Sequence, residues 1–389
     1  MEKEITFFYT EEVEKWAVES IYSEAQKKGY KVKFSEDLSE NCEIGFYCQD
    51  KYTVINSKLS IVMNHGMDQA RLYWPNRWNK EPWNKYDIGF LPGKSWSDMW
   101  RESSWDPFSY PKKGIYETGW PKSDKVFKKD FEQNINDFKK ELNLENKKTI
   151  LYAPNFEVDN KQIETLDFLK NLDVNVLVKH WITEKDAPKF QDLNRNINEA
   201  NLYTKKNFKN CKILDPNLDI IQCLAVSDIL ITDESSVLYE AFLFNIPCVS
   251  ISDWTTKTSN HMKSRKINPS KETYKVVKKK EFKKTIVEIL NNIKDVNLEI
   301  EQKKNFHYSN HGKSSEIIIS IIDNIVENKI YENQFKIKPK YKKNLFLLVF
   351  RPLKNFLLKF ILGITPLKFI KFFSNNKILK EKFNQLRNY

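Results

Sequence analysis

Short apolar runs alternate along this chain with longer segments whose apolar residues recur every three or four positions, and the alternation passes through two rounds. The run ITFFY at 5–9 reads as a buried strand, and residues 11–28 place Val13, Trp16, Ala17, Ile21 and Ala25 on one helical face before Gly29 ends the helix. Runs at 30–34, 44–48, 59–64, 87–91 and 114–118 complete the first round. A charged stretch at Lys128, Lys129 and Asp130 and a helix to about Leu142 lead to the second, with runs at 149–153, 174–179, 211–214, 228–232 and 246–251. Strands separated by helices in this way are the pattern of a parallel sheet in an α/β layer. The expected architecture is two Rossmann-like domains facing a cleft, residues 1–125 and 126–330, with a separate region at 331–389.

In such sheets ligands bind beyond the carboxyl ends of the strands, so residues just after each run are the candidates for chemistry. His65-Gly66 follows 59–64, Asn155 follows 149–153, His180 follows 174–179, and Asp233-Glu-Ser-Ser236 follows 228–232. The last of these carries a strand directly into a helix through Thr232, Asp233, Glu234, Ser235 and Ser236. A helix start offers free N–H groups and a positive dipole end; with two hydroxyls it suits a nucleotide diphosphate, although N-capping alone explains the same residues. One turn on, Glu240 is placed to accept from ribose hydroxyls. His65 and His180 follow strands of different halves, which puts them on opposite walls of the expected cleft, where an imidazole can take a proton from a hydroxyl or donate to phosphate. Gly119-Trp-Pro-Lys-Ser-Asp124 reads as a turn out of the first domain, and Ser314 to Glu316 as a local cap for a helix at 314–327. His261 and His307 have no comparable setting and read as structural.

Charge changes the picture at the C-terminus. The net charge is +12, and residues 331–389 hold 14 Lys/Arg against Glu332 and Glu381, so the first 330 residues are formally neutral. A neutral body argues against a nucleic-acid groove, whose basic residues belong on the folded domains. The tail from Lys342 interleaves Phe and Leu clusters with Arg351, Lys354, Lys359, Lys368 and Lys371, while Pro352, Gly363 and Pro366 break it into short helices. Such a basic amphipathic helical tail suits an anionic membrane surface, its lysines snorkelling above submerged apolar residues. No run reaches the ~18 apolar residues a spanning helix requires, and the N-terminus lacks a signal-peptide pattern. Five cysteines without metal-ligand spacing suggest a reduced, cytoplasmic protein with neither disulfides nor a metal site.

Six segments, in order, resemble the CDP-glycerol glycerophosphotransferases of teichoic acid and capsule polymer synthesis. They are Asn64-His-Gly66, Thr118-Gly-Trp-Pro-Lys-Ser-Asp124, Ile150-Leu-Tyr-Ala-Pro-Asn155, Val178-Lys-His180, Ser227-Asp-Ile-Leu-Ile-Thr-Asp-Glu-Ser-Ser-Val237 and His311-Gly-Lys-Ser-Ser-Glu316. Each is short; the ordered set is the specific signal. The resemblance implies a GT-B fold with CDP-glycerol or CDP-ribitol in the interdomain cleft and no cofactor. It makes the first domain the acceptor side, with His65 as general base, and implies that His180 contacts the diphosphate. The expected nucleotide and diphosphate set is Asn155, Lys179, Thr232, Asp233, Glu234, Ser235, Ser236 and Glu240. It further implies attack of an acceptor hydroxyl on the β-phosphorus, loss of CMP, a polyprenyl-diphosphate-linked glycan or glycolipid as acceptor, and a peripheral position at the cytoplasmic face of a bacterial plasma membrane.

The sequence departs from the family pattern at Met67-Asp-Gln-Ala-Arg71, where Thr and lysines are usual, at Trp181 in place of proline, and at Glu234 in place of an aromatic residue. The Thr-Asp-x-Ser segment with Glu240-Ala also resembles UDP-N-acetylglucosamine 2-epimerases and sugar-nucleotide glycosyltransferases. A GT-B glycosyltransferase of envelope polysaccharide synthesis is therefore the alternative function, because fold does not separate these chemistries.

Overall fold

The computed structural model describes residues 2–49, 56–67, 77–181, 190–257, 262–327, 334–351 and 353. The departures expected at 68–71, His261, and the tail beyond Leu353 lie outside the described residues. The first round of apolar runs forms β1 (Glu4–Phe8), α1 (Glu12–Lys27), β2 (Lys31–Ser35), β3 (Cys42–Tyr47), β4 (Ser57–Val62), β5 (Ile88–Leu91), α2 (Lys94–Glu102) and β6 (Gly114–Glu117). Their strands make a six-stranded parallel sheet in the order β2-β1-β3-β4-β5-β6. Ile5 pairs in register with Ile44, and Ile44 with Leu59, all three fully buried. β1 and β5, buried along most of their length, read as apolar runs, whereas the edge strand β2 alternates Lys with apolar residues and is partly exposed.

After a 3-10 helix at Pro121–Phe127 and α3 (Phe131–Glu141), the second round begins. It contains β7 (Thr149–Tyr152), α4 (Lys161–Leu169), β8 (Asn175–Val178), α5 (Gln191–Asn207), β9 (Cys211–Ile213), α6 (Ile220–Ala225), β10 (Ile229–Ile231), α7 (Val237–Phe242) and β11 (Cys248–Ile251). A short antiparallel ribbon, β12 (Thr255–Thr256) with β13 (Arg265–Lys266), precedes β14 (Lys275–Val277). The second sheet is also parallel, in the order β14-β11-β10-β7-β8-β9. Every run read as a strand lies in one of the two sheets; β12 and β13, two polar residues each, and β14, the three residues Lys-Val-Val, were not anticipated. α8 (Lys279–Asn291) and α9 (Ile293–His307) follow, and then α10 (Ser314–Val326).

The C-terminal part returns to the first lobe. α10 packs against α1, and its Asp323 carboxylate accepts from Tyr30 Oη at 2.6 Å and Lys3 Nζ at 2.9 Å. Its N-terminus is capped from a distance rather than by its own serines. Asp124 Oδ1 accepts the Ser314 N–H at 3.1 Å and Oδ2 the Ser315 N–H at 2.7 Å, a carboxylate well placed at the positive end of the helix dipole. Gly119, at φ +94°, sits where a Cβ would collide with Ser314 Oγ and the Ser309 carbonyl. Gly119→Ala is therefore expected to destabilise the protein by more than about 1 kcal/mol. An unchanged urea midpoint would show that this crossing relaxes freely.

Residues 334–351 are folded against the first lobe as well. Glu117 N–H donates to the Phe335 carbonyl and Ile337 N–H to the Ile115 carbonyl, both at 2.9 Å, so this segment extends the β6 edge and Ile337 is buried. Ser104 Oγ then accepts from the backbone N–H groups of Lys340 and Tyr341, and Arg351 Nη2 meets Asp106 Oδ2 at 2.9 Å. No helix among the described residues is long and apolar enough to cross a membrane.

Candidate functional site

Between the two sheets lies a cavity of about 400 Å³, lined almost wholly by residues that follow strands. From the first lobe come Glu11, Val13 and Trp16 after β1, His65 and Gly66 after β4, and Lys122 after β6. From the second come 153–156 after β7, Lys179, His180 and Trp181 after β8, Pro216, Leu218 and Ile220 after β9, and Glu234–Val237 with Glu240 after β10. A parallel sheet points all its carboxyl ends the same way, so residues remote in sequence converge on one opening.

Eight of the expected site residues line this cavity: His65, Asn155, Lys179, His180, Glu234, Ser235, Ser236 and Glu240. Thr232 and Asp233 do not. Thr232 is buried, its Oγ1 donating to the Ala153 carbonyl at 2.5 Å. Asp233 accepts the Asn155 N–H at 2.7 Å and the Lys161 ammonium at 2.6 Å, with side chains of the ion pair 0% and 1% exposed. An isolated charge cannot be buried cheaply, and Lys161 supplies its partner. These two residues tie the β10 loop to the β7 loop from behind the cavity wall.

α7 starts at Val237, so Ser235 and Ser236 precede the helix rather than open it, and it is only six residues long. Ser235 Oγ accepts the Val237 N–H at 3.3 Å and so turns the chain into that helix. Glu234 is held by Arg265 of β13 through two 2.6 Å bonds and by the Asn268 N–H. Burial opposes its ionisation, but Arg265 and that N–H outweigh the cost and hold its pKa below the usual range. The unanticipated ribbon thus fixes one wall of the cavity.

His65 is 3.9 Å, through Nδ1, from Glu14 Oε1, and its backbone N–H is bonded to the Cys48 carbonyl. The other oxygen of Glu14 accepts the Thr10 N–H at 2.7 Å and the Glu11 N–H at 3.2 Å, which anchors the carboxylate at the first turn of α1. Arg77, itself buried, donates to Asn64 Oδ1 at 2.8 Å and supports the same turn. Facing these residues, His180 is 3% exposed and bonded through Nε2 to Gln162 Oε1 at 2.6 Å. Burial first, and then the Lys161 and Lys179 ammonium groups, push its pKa down to about 3, so the free ring is neutral at physiological pH. Lys179 turns its ammonium to the carbonyls of Pro216 and His180 at 2.9 and 3.3 Å, and burial lowers its pKa.

Sequence reasoning missed Lys122. Read as part of a turn, it is buried in the cavity wall and pairs with Glu240 Oε1 at 2.6 Å across the two lobes. The available signals were its position just after a strand and its place in the segment Thr118–Asp124 that carries the family resemblance. It missed the aromatic wall as well: Trp16, Phe156 and Trp181 all line the cavity, with Phe156 edge-on to Trp181 at 5.8 Å. Among the described residues no cluster of three or more His, Cys, Asp or Glu is arranged to hold a metal ion.

Two parallel Rossmann-like sheets with one cleft between them make this a GT-B protein. The family described as CDP-Glycerol:Poly(glycerophosphate) glycerophosphotransferase matches residues 45–324, and the chain belongs to that family of transferases. Among solved structures it is similar to the wall teichoic acid polymerase TagF, with 17% identity, a TM-score of 0.58, and 85% of this chain and 90% of that chain covered. A TagF variant soaked with CDPG matches at 15% identity and a TM-score of 0.55, over 85% and 90% of the two chains. A putative UDP-N-acetylglucosamine 2-epimerase from Listeria monocytogenes matches at 13% identity and a TM-score of 0.58, over 87% and 100%. At these identities the likeness is one of fold. No curated protein matches the sequence.

Proposed function

We propose that this enzyme transfers a glycerol-phosphate or related alditol-phosphate unit from a CDP-linked donor to a membrane-linked glycan in teichoic acid or related polymer synthesis, releasing CMP. The observation that carries the reading is the convergence of His65 from the first lobe with the β7, β8 and β10 loops of the second on one cavity. Phosphoryl transfer needs alignment and charge stabilisation more than covalent help. The acceptor oxygen attacks the β-phosphorus, the bond from that phosphorus to the bridging oxygen breaks, and CMP departs with the bridging oxygen. His65 takes the acceptor's proton, and the Glu14 carboxylate near its Nδ1 favours the imidazolium so formed. Asn155, Lys179, Ser235, Ser236 and Glu240, with Lys122 beside them, surround the nucleotide and its diphosphate. Thr232 and Asp233 act on that site from behind, by holding its loops.

Incubating the protein with CDP-glycerol, CDP-ribitol and UDP-sugars separates this reading from a sugar-nucleotide enzyme on the same fold. Release of CMP from a CDP-alditol supports it, and turnover of UDP-sugars alone overturns it.

Membrane attachment completes the proposal, with the protein at the cytoplasmic face of a bacterial plasma membrane. Leu345, Phe346 and Val349 are 62%, 68% and 72% exposed on the first described turns of the tail, beside exposed Lys342 and Lys343. Because Phe335–Ile337 belongs to the first lobe, a cut at the start of the 331–389 region would open the β6 edge, and the truncation belongs after Lys343. That truncation is expected to release the protein from anionic liposomes and leave CDP-glycerol affinity unchanged, since each cation near an anionic leaflet contributes about 1 kcal/mol. Equal flotation of the truncated and full-length proteins would show that the anchor lies elsewhere.

A further inference from the structure

Behind His180 the hydrogen bonds run in one direction only. Thr204 Oγ1 donates its single proton to the Ala200 carbonyl at 2.8 Å, so toward Gln162 it can only accept, and Gln162 Nε2 donates to it at 2.7 Å. A second donation, to Asn201 Oδ1 at 3.1 Å, uses the other amide proton. Gln162 Oε1 is therefore the end that faces His180, and an oxygen there requires a proton on His180 Nε2, 2.6 Å away. Gln162 and Thr204 are fully buried, so no water competes for these bonds. In a neutral ring the remaining nitrogen, Nδ1, is then a bare lone pair. Nδ1 has no partner among the described residues and is not sealed off as a buried orphan, and the ring lines the cavity.

A bare nitrogen repels a phosphate oxygen. We propose that Gln162 is a positioning residue for the transfer: it locks the ring proton of His180 on Nε2, so that His180 meets the anionic donor only by taking up a second proton at Nδ1. This rests on the CDP-linked donor proposed above. The proton comes from solvent, no other bond forms or breaks, and the imidazolium then donates to the diphosphate. The surrounding charges fit a ring that is neutral when free and charged when the donor is bound. Burial first, and then Lys161 on α4 and Lys179 at the end of β8, push its pKa down to about 3, and a bound diphosphate would act in the opposite direction. Other charged groups near the site are already engaged: Asp233 with Lys161, Glu240 with Lys122, and Glu157 with the Tyr152 hydroxyl and the Gln162 N–H.

The test has two arms. Nitrogen-15 histidine NMR of the free protein, with His180→Asn to assign the signal, is expected to show Nε2 protonated and Nδ1 bare. In Gln162→Leu the same signal moves toward a mixture of tautomers. Calorimetric titration with CDP-glycerol at pH 7.5, in buffers of different ionisation heat, is expected to report uptake of about one proton per molecule bound. Uptake falls at least twofold in Gln162→Leu, whose ring can carry its single proton on Nδ1. It falls also in Gln162→Glu, which keeps an acceptor and adds the charge that protonates the ring beforehand. A wild-type ring protonated on Nδ1 overturns the proposal, as does a heat of binding that is the same in every buffer, or uptake unchanged in both variants. If CDP-glycerol does not bind at all, the donor assignment fails, and the positioning role then stands or falls on the tautomer of the free protein.

Discussion

Replacing His65 with alanine is expected to lower the transfer rate by ~10²–10⁴-fold while leaving the affinity for CDP-glycerol within about a factor of two. The reason is the division of labour across the cavity. His65 lines the cavity from the lobe opposite the β7, β8 and β10 loops, and under the proposed function it meets the attacking hydroxyl rather than the donor. Single-turnover kinetics and calorimetry on the same preparation measure the two quantities separately. A variant that kept more than about a tenth of the wild-type rate could not have lost a general base. A variant that lost affinity to the same degree as rate would place His65 on the donor instead. Glu14→Gln should act in the same direction but more weakly, because the carboxylate lies 3.9 Å from the ring and acts through charge.

The largest effect on stability is expected at Lys161. Its ammonium is sealed against Asp233 at 2.6 Å, and Asp233 in turn holds the Asn155 N–H. Lys161→Met would leave a carboxylate buried without its counter-charge, a loss of roughly 3–5 kcal/mol. The double variant with Asp233→Asn should recover much of that loss, since it removes the stranded charge. Urea denaturation of the two variants side by side gives the comparison. A single variant destabilised by less than about 1 kcal/mol would mean that water reaches Asp233, and that the loops at 153–157 and 232–236 are not held as described.

What was legible in the sequence follows from what is local. Strands such as Ile150–Tyr152 and Ile229–Ile231 are apolar on both faces and announced themselves, and the parallel arrangement then pointed to the residues after them. That logic placed His65, Asn155, His180 and the serines at the cavity. It also placed Thr232 and Asp233 there, because nothing nearby in sequence shows that a lysine 72 residues away draws Asp233 into the interior. Asp124 lies 190 residues before the helix it caps, so the local serines looked sufficient. Gln162 left no trace either. It lies in the first turn of an ordinary amphipathic helix, and its importance comes from Thr204, on another helix, fixing which end of its amide faces His180. Nor did the composition of residues 331–389 reveal that Phe335–Ile337 extends a sheet edge.

The return of α10 and the Phe335–Ile337 segment to the first lobe has a consequence for the order in which the chain acquires its structure. The second lobe, from about Phe131 to His307, is continuous in sequence and can close on itself during synthesis. The first lobe cannot. Its earliest residues emerge first, yet Tyr30 and Lys3 wait for Asp323, and the β6 edge waits for Ile337. Contacts so distant in sequence form late, and surface left open in the meantime is prone to misassociation. A nascent chain halted near residue 312 would therefore carry a protease-resistant second lobe behind a first lobe that is still open to cleavage.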